Sequence, residues 1–121
     1  MKTPIVALGA LVAALATAPS LADTSGKKIA FSNNYAGNSW RQAMLTSYDA
    51  VAKNAVAGKV VKAADVFTTA DKAVPTQAAQ IQNLILQGYD AIVINASSPD
   101  ALNGAIKQAC DAGGEHDTQG C

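Results

Sequence analysis

Two kinds of block alternate along this chain. Short apolar runs occupy Lys28–Ser32, Val60–Phe67 and Ala91–Ile94, and between them apolar residues return every three or four positions. A compact run reads as a strand and a three-four spacing as an amphipathic helix. The first helical stretch carries Trp40, Met44, Tyr48, Val51 and Ala55 and is expected to stop near Gly58. The second carries Val74, Ala78, Ile81 and Ile85 and is closed by Gly88; the third carries Leu102, Ala105, Ile106 and Ala109. Pro99 is expected in or just before the first turn of the third helix, where its missing N–H costs nothing, with the helix running from Asp100 to Ala112. Thr68–Asp71 and Asn95–Ser98 read as polar exit loops. Asn103-Gly104 resembles a hairpin turn but has no strand on either side.

The order is βαβαβα. Such alternation predicts an α/β fold with a parallel sheet, right-handed crossovers and helices on both faces, in three layers. Ala91–Ile94, wholly apolar, is expected to be buried on both faces. A fourth apolar strand should follow the helix exit at Gly113, but residues 114–121 contain no Ile, Val, Leu or Phe. The sheet read from this sequence is therefore incomplete.

The two ends differ from the body. Lys2, the apolar Ile5–Ala16 and the small residues Ser20 and Ala22 form a secretory signal pattern, with cleavage expected after Ala22 and Ala16-Thr17-Ala18 as the competing site. The apolar stretch is shorter than the roughly 20 residues a spanning helix needs. At the other end, residues 114–121 hold the chain's only His and only Glu, and this anomalous polar tail is expected to follow a change of reading frame or an early stop.

Composition adds limits. The chain has 121 residues, 50% hydrophobic, with formal net charge +0, which suits a single soluble domain and offers no basic surface for nucleic acid. Export places Cys110 and Cys121 where a disulfide is permitted, and sequence leaves open whether they pair. Glu115-His116-Asp117 lacks any spacing typical of metal ligands. Asn95-Ala96-Ser97 fits a glycosylation pattern only incidentally, and no dinucleotide fingerprint, nucleophile elbow or zinc-protease helix is present. No catalytic residue, metal ligand or cofactor is assigned, and the chain is not expected to be an enzyme.

The chemistry lies in Phe31-Ser32-Asn33-Asn34-Tyr35-Ala36-Gly37-Asn38-Ser39-Trp40-Arg41-Gln42. Here an apolar run delivers amides, hydroxyls and aromatic rings to the junction between a strand and a helix. Open α/β sheets build small-molecule sites at such junctions. Amides and hydroxyls both donate and accept, which suits a neutral polyhydroxylated ligand, and a flat ring can cover a sugar's apolar face. The competing reading is a plain turn in which Asn38 or Ser39 caps the helix.

Together, residues 28–42, the run Gln77–Ile85 and Gly88-Tyr89-Asp90-Ala91-Ile92-Val93-Ile94-Asn95 resemble the periplasmic solute-binding proteins of sugar ABC transporters, of the ribose-binding-like type I family. The resemblance spans roughly Lys27 to Gly113. It implies a Rossmann-like N-terminal lobe, one of two that close on a ligand, with the loop after strand one touching the ligand through Asn34, Tyr35, Asn38, Ser39 and Trp40. Asn38 and Trp40 are the strongest candidates, and Asn95–Ser98 lines the same edge. Implied partners are a monosaccharide or related polyol and the permease subunits of an ABC transporter. The expected organisation is a signal peptide over 1–22, a partial N-terminal lobe over 23–113 and the tail over 114–121, in the periplasm. The resemblance also implies a next strand, a hinge and a second lobe, none of which is read in residues 114–121, so the sequence is expected to hold at most one half of a ligand clamp. Alternative readings are a periplasmic sensor that presents its ligand to a chemoreceptor or kinase, and the non-functional product of an interrupted gene.

Overall fold

The computed structural model describes residues 22–113. Within it the elements are β1 (Lys28–Asn34), α1 (Ser39–Ala57), β2 (Ala63–Thr69), α2 (Val74–Leu86), β3 (Ala91–Asn95) and α3 (Asn103–Ala112). The strands are parallel in the order β2-β1-β3, so the open parallel α/β sheet expected from the block pattern is what forms. The signal segment and the polar tail lie outside the described residues, as does Cys121; among the described residues no cysteine is free. No helix among the described residues is long and apolar enough to cross a membrane.

Successive strand residues face opposite sides, and β1 shows which helix covers which. The Phe31 ring meets Tyr48 of α1 at a centroid distance of 5.0 Å, while Ser32 bonds to Gln77 and Gln80 of α2. The helices α1 and α2 therefore lie on opposite faces. On the α2 face Ile81, Leu102 and Ala105 are buried, with Val74, Ala78, Ile85, Ile92, Ile94, Ile106 and Ala109 packed around them. Side chains buried as fully as Ile81, Leu84 and Leu102 each stabilise the fold by about 1.5–3 kcal/mol.

The α1 face is thinner, and two expectations fail there. Of the stripe read from sequence, Trp40 and Val51 stay in water at 65% and 69% exposure, and Ala52 is the buried residue of the helix. Val93 of β3, expected to be buried, is 49% exposed. The cause is position: β3 is an edge strand, and its Val93 side turns to the face on which α1 is the only helix among the described residues. An apolar groove of about 350 Å³ runs between that strand and α1, lined by Tyr48, Val51, Ala52, Val60, Val61 and Val93.

Helix ends follow backbone chemistry. Asn38 caps α1, its side chain accepting from the Arg41 N–H at 2.9 Å. Pro75 sits in the first turn of α2. Behind α2, Gly88 takes φ 74°, and the bonds Gly88 N to Ile85 O (3.0 Å) and Tyr89 N to Leu84 O (3.2 Å) complete a Schellman close. After α1 the same close forms with Lys59, not Gly58, in the left-handed position at φ 57°. The helix α3 begins at Asn103 rather than Asp100. Pro99 lies upstream in a turn whose Asp100 and Ala101 N–H groups donate to Ser98 Oγ.

Candidate ligand-binding site at the carboxyl ends of the strands

The chain leaves β1 through α1 to form β2 on one side, then crosses back through α2 to form β3 on the other. Loops diverge at such a reversal and open a crevice beyond the carboxyl ends of the strands, where open α/β sheets hold ligands. The amide-rich stretch singled out from sequence lies there.

Strand β1 runs two residues further than the apolar pattern suggested, so Asn33 and Asn34 are strand residues and not loop. Strand β2 likewise extends through Thr68 and Thr69, and begins at Ala63 rather than Val60. Apolar pattern alone places strand ends too early here, because amides and hydroxyls replace aliphatic side chains along the last residues of the pleat. Asn33 is fully buried. It donates to Thr68 Oγ1 and to the Tyr35 carbonyl at 3.3 Å, and its Oδ1 accepts from Asn95 Nδ2 at 2.9 Å. On the opposite face Ser32 Oγ donates to Gln80 Oε1 at 2.6 Å and accepts from Gln77 Nε2 at 3.2 Å. Side chains thus tie β1 to both neighbouring strands on one face and to α2 on the other.

Above this floor stand polar atoms with no protein partner. Asn34 Oδ1, Thr69 Oγ1 and Ser97 Oγ are all buried and unpartnered, one at or just beyond the end of each strand. Asn34 and Thr69 are only 4% and 7% exposed. A buried polar atom left unpaired costs about 1–3 kcal/mol; a fourth, Tyr48 Oη, lies beside Phe31 under α1, while these three fall together at the ends of the strands.

The five residues predicted from sequence are brought to this edge in different ways. Asn34 supplies its unpartnered amide oxygen, while its carbonyl accepts from the Arg41 guanidinium. Tyr35 holds φ 64°, and its N–H donates to the Thr69 carbonyl at 3.0 Å. Its ring lies over Gly37, where a Cβ would stand 2.3 Å from the ring carbon opposite, so any larger residue there would displace the Tyr35 ring. Asn38 spends its oxygen on capping α1 and keeps its NH₂ group for other acceptors. Ser39 is the exposed first residue of α1. Trp40 projects from the first turn into solvent, with the Arg41 guanidinium 6.0 Å from its ring.

Sequence reasoning missed Thr69, Gln77 and Arg41. Thr69 falls within the polar exit loop expected from the sequence, yet it pairs in register with Asn34. Gln77 is a polar residue that lies between the apolar positions of α2 and is nonetheless fully buried. Arg41 directly follows Trp40, and a cation beside an exposed aromatic was the available signal. The titratable groups with shifted pKa values lie away from the crevice. Hydrogen bonding to Asp65 pushes the Tyr89 phenol up to about 12. The Lys28 N–H, helped by Lys27, holds the Asp90 carboxyl below its ordinary value.

Known proteins carry the same architecture. An ABC transporter solute-binding protein from Thermobispora bispora superposes with a TM-score of 0.69 at 42% identity, over 72% of this chain and 27% of its own. One from Mycobacterium smegmatis with bound glycerol gives 0.58 at 22% identity, over 73% of this chain and 28% of its own. A periplasmic ribose ABC transporter protein from Conexibacter woesei gives 0.60 at 22%, over 75% and 29%. The chain therefore spans less than a third of the length of these relatives. No curated protein sequence matches it. The family described as the periplasmic binding protein domain matches residues 29–113, and with the 42% identity to a solute-binding protein this shows that the chain belongs to that family.

Proposed function

We propose that this chain forms part of the N-terminal lobe of the substrate-binding component of an ABC-type sugar transporter, and that its ligand is a monosaccharide or related polyol. The observation that carries this reading is the trio of buried, unpartnered oxygens at the strand ends, Asn34 Oδ1, Thr69 Oγ1 and Ser97 Oγ. All three accept hydrogen bonds, two of them also donate, and none is charged. That set is matched by a ligand with several hydroxyl groups. Asn38, Ser39 and Tyr35 add neutral donors and acceptors around the rim, and the exposed Trp40 ring supplies a flat apolar surface for the face of a sugar. The bound glycerol named for the Mycobacterium smegmatis protein is a small polyol of this class. In this reading the signal segment over 1–22 exports the chain from Asp23 to Cys121 to the periplasm, where the full-length protein hands the ligand to membrane permease subunits.

The test uses the chain's single tryptophan, which stands at the crevice mouth. The full chain is titrated with D-ribose, D-galactose, xylitol and glycerol while Trp40 emission is followed, with calorimetry in parallel. The described residues offer one wall of a cleft, so saturation is expected at about millimolar ligand, or about −4 kcal/mol. A flat response to all four compounds up to about 100 times that concentration, in both measurements, removes the sugar reading.

A further inference from the structure

We propose that Gln77 is the positioning residue of this crevice: it fixes the backbone of the β3 exit loop so that the Ser97 hydroxyl is presented beside Asn34 and Thr69. The proposal rests on the reading of the strand ends as a ligand site, and it assigns a role to a side chain on a helix that itself contributes no group to the rim.

Gln77 lies in the second turn of α2 and is 0% exposed. All of its hydrogen-bonding capacity is directed across the sheet end. Its Oε1 accepts from the Ser97 N–H at 2.8 Å. Its Nε2 donates to the Asn95 carbonyl at 3.0 Å and to Ser32 Oγ at 3.2 Å, with the Ser32 carbonyl at 3.4 Å. These partners fix which way the amide points. The Ser97 N–H can only donate and the Asn95 carbonyl can only accept, so a flipped amide would face like against like at both. The proton directions continue outward: Ser32 Oγ receives from Gln77 and passes its own hydrogen to Gln80 Oε1. Asn95 is gripped from both faces, by Gln77 at its carbonyl and by Asn33 at its side chain.

Packing alone does not require glutamine. A Leu or Met would fill a similar volume without burying an amide, and burying one is favourable only when every partner is in place. Two of the three partner residues, Asn95 and Ser97, flank Ala96, which has left the strand, and the third is Ser32 of β1. The chain thus has its exit direction set on the α2 side, while the Ser97 hydroxyl remains buried and without a partner. A side chain that secures the backbone of a residue and leaves that residue's own polar group unspent is arranged for presentation.

The experiment compares the full chain with Gln77→Met and Gln77→Glu, using amide exchange followed by NMR and expressed as protection factors. For Gln77→Met, Ser97 protection is expected to fall about tenfold more than that of Ile81, Leu84 and Ile94, the loss of about one buried hydrogen bond. Gln77→Glu gives the discriminating signature. Ionised, it retains an acceptor for Ser97 but sets an oxygen against the Asn95 carbonyl; protonated, it can donate again. Protection of Ser97 should therefore recover as pH falls through the titration of the new carboxyl, and the core amides should not follow. Uniform loss at all sites, or unchanged Ser97 protection in both variants, overturns the proposal. A parallel titration of Trp40 emission with D-ribose separates the two readings. No response in the wild-type chain counts against the sugar assignment, while the exchange data still decide the role of Gln77.

Discussion

Replacing Trp40 with Ala separates the two roles that its position allows, because the structure predicts a small stability cost and a large functional one. The ring is 65% exposed, so about one third of the roughly 250 Å² that a tryptophan can bury is out of water. At about 25 cal/mol per Å² that is about 2 kcal/mol, an upper bound because denatured chains already bury some apolar surface. Alanine returns about 0.5 kcal/mol through its better helix propensity. The Arg41 guanidinium, 6.0 Å from the ring, is too solvated to add more than about 0.5 kcal/mol. The expected net loss is about 1–1.5 kcal/mol, well below the 3–5 kcal/mol of a buried Trp→Ala change. Urea unfolding followed by far-UV circular dichroism measures it, since the substitution removes the only tryptophan. Calorimetry with the sugar that gives the strongest wild-type signal should show about tenfold weaker binding, the loss of one aromatic face. A loss of 3 kcal/mol or more with unchanged affinity would refute the reasoning and return Trp40 to the helix core with Met44 and Tyr48.

Asn38→Ala should cost about 1 kcal/mol through loss of the α1 cap, and Asn38→Ser should restore most of it in the same urea assay. Lys59→Gly is expected to stabilise the chain by about 0.5–1 kcal/mol, because the left-handed position at φ 57° is one a Cβ disfavours; a lowered urea midpoint contradicts this. The Tyr89 phenol, raised from 10.0 to about 12 by its hydrogen bond to Asp65, favours the folded state fully below pH 10 and loses that contribution as pH rises through 12. Absorbance titration at alkaline pH should find this late phenol, and Asp65→Asn should bring it back toward its ordinary range.

The block pattern made the architecture legible because period and length carry it. Helices α1 and α2 stop where glycine and its neighbours allow a left-handed residue, and the parallel order follows from alternation. Exposure was less legible. Ala91–Ile94 has the composition of a strand covered on both faces, but coverage depends on which neighbours are present, and Val93 is open to one side. Likewise Trp40 shares the spacing of Met44 and Tyr48, yet it sits in the first turn, beyond the reach of the sheet. The site was half legible. The stretch after β1 was visible as a density of amides, whereas Thr69 ends β2 and Ser97 lies in the loop after β3, both far away in sequence, and only the β2-β1-β3 order brings their oxygens to the same edge.

The Thr68–Asn33–Asn95 ladder has a consequence for folding fidelity. Parallel strands with similar aliphatic faces can slide by two residues and still present the same sides, so apolar pairing alone leaves alignment nearly degenerate. In the native alignment Asn33 stands opposite Thr68 on one strand and Asn95 on the other. A two-residue slip of either neighbour toward its carboxyl end would set Asn33 against Val66 or Val93. Each error would strand a buried amide at about 1–3 kcal/mol, enough to make slipped sheets a small minority. The polar end of this sheet therefore works as an alignment key, and the same amides that floor the crevice ensure that its rim residues arrive at matching heights.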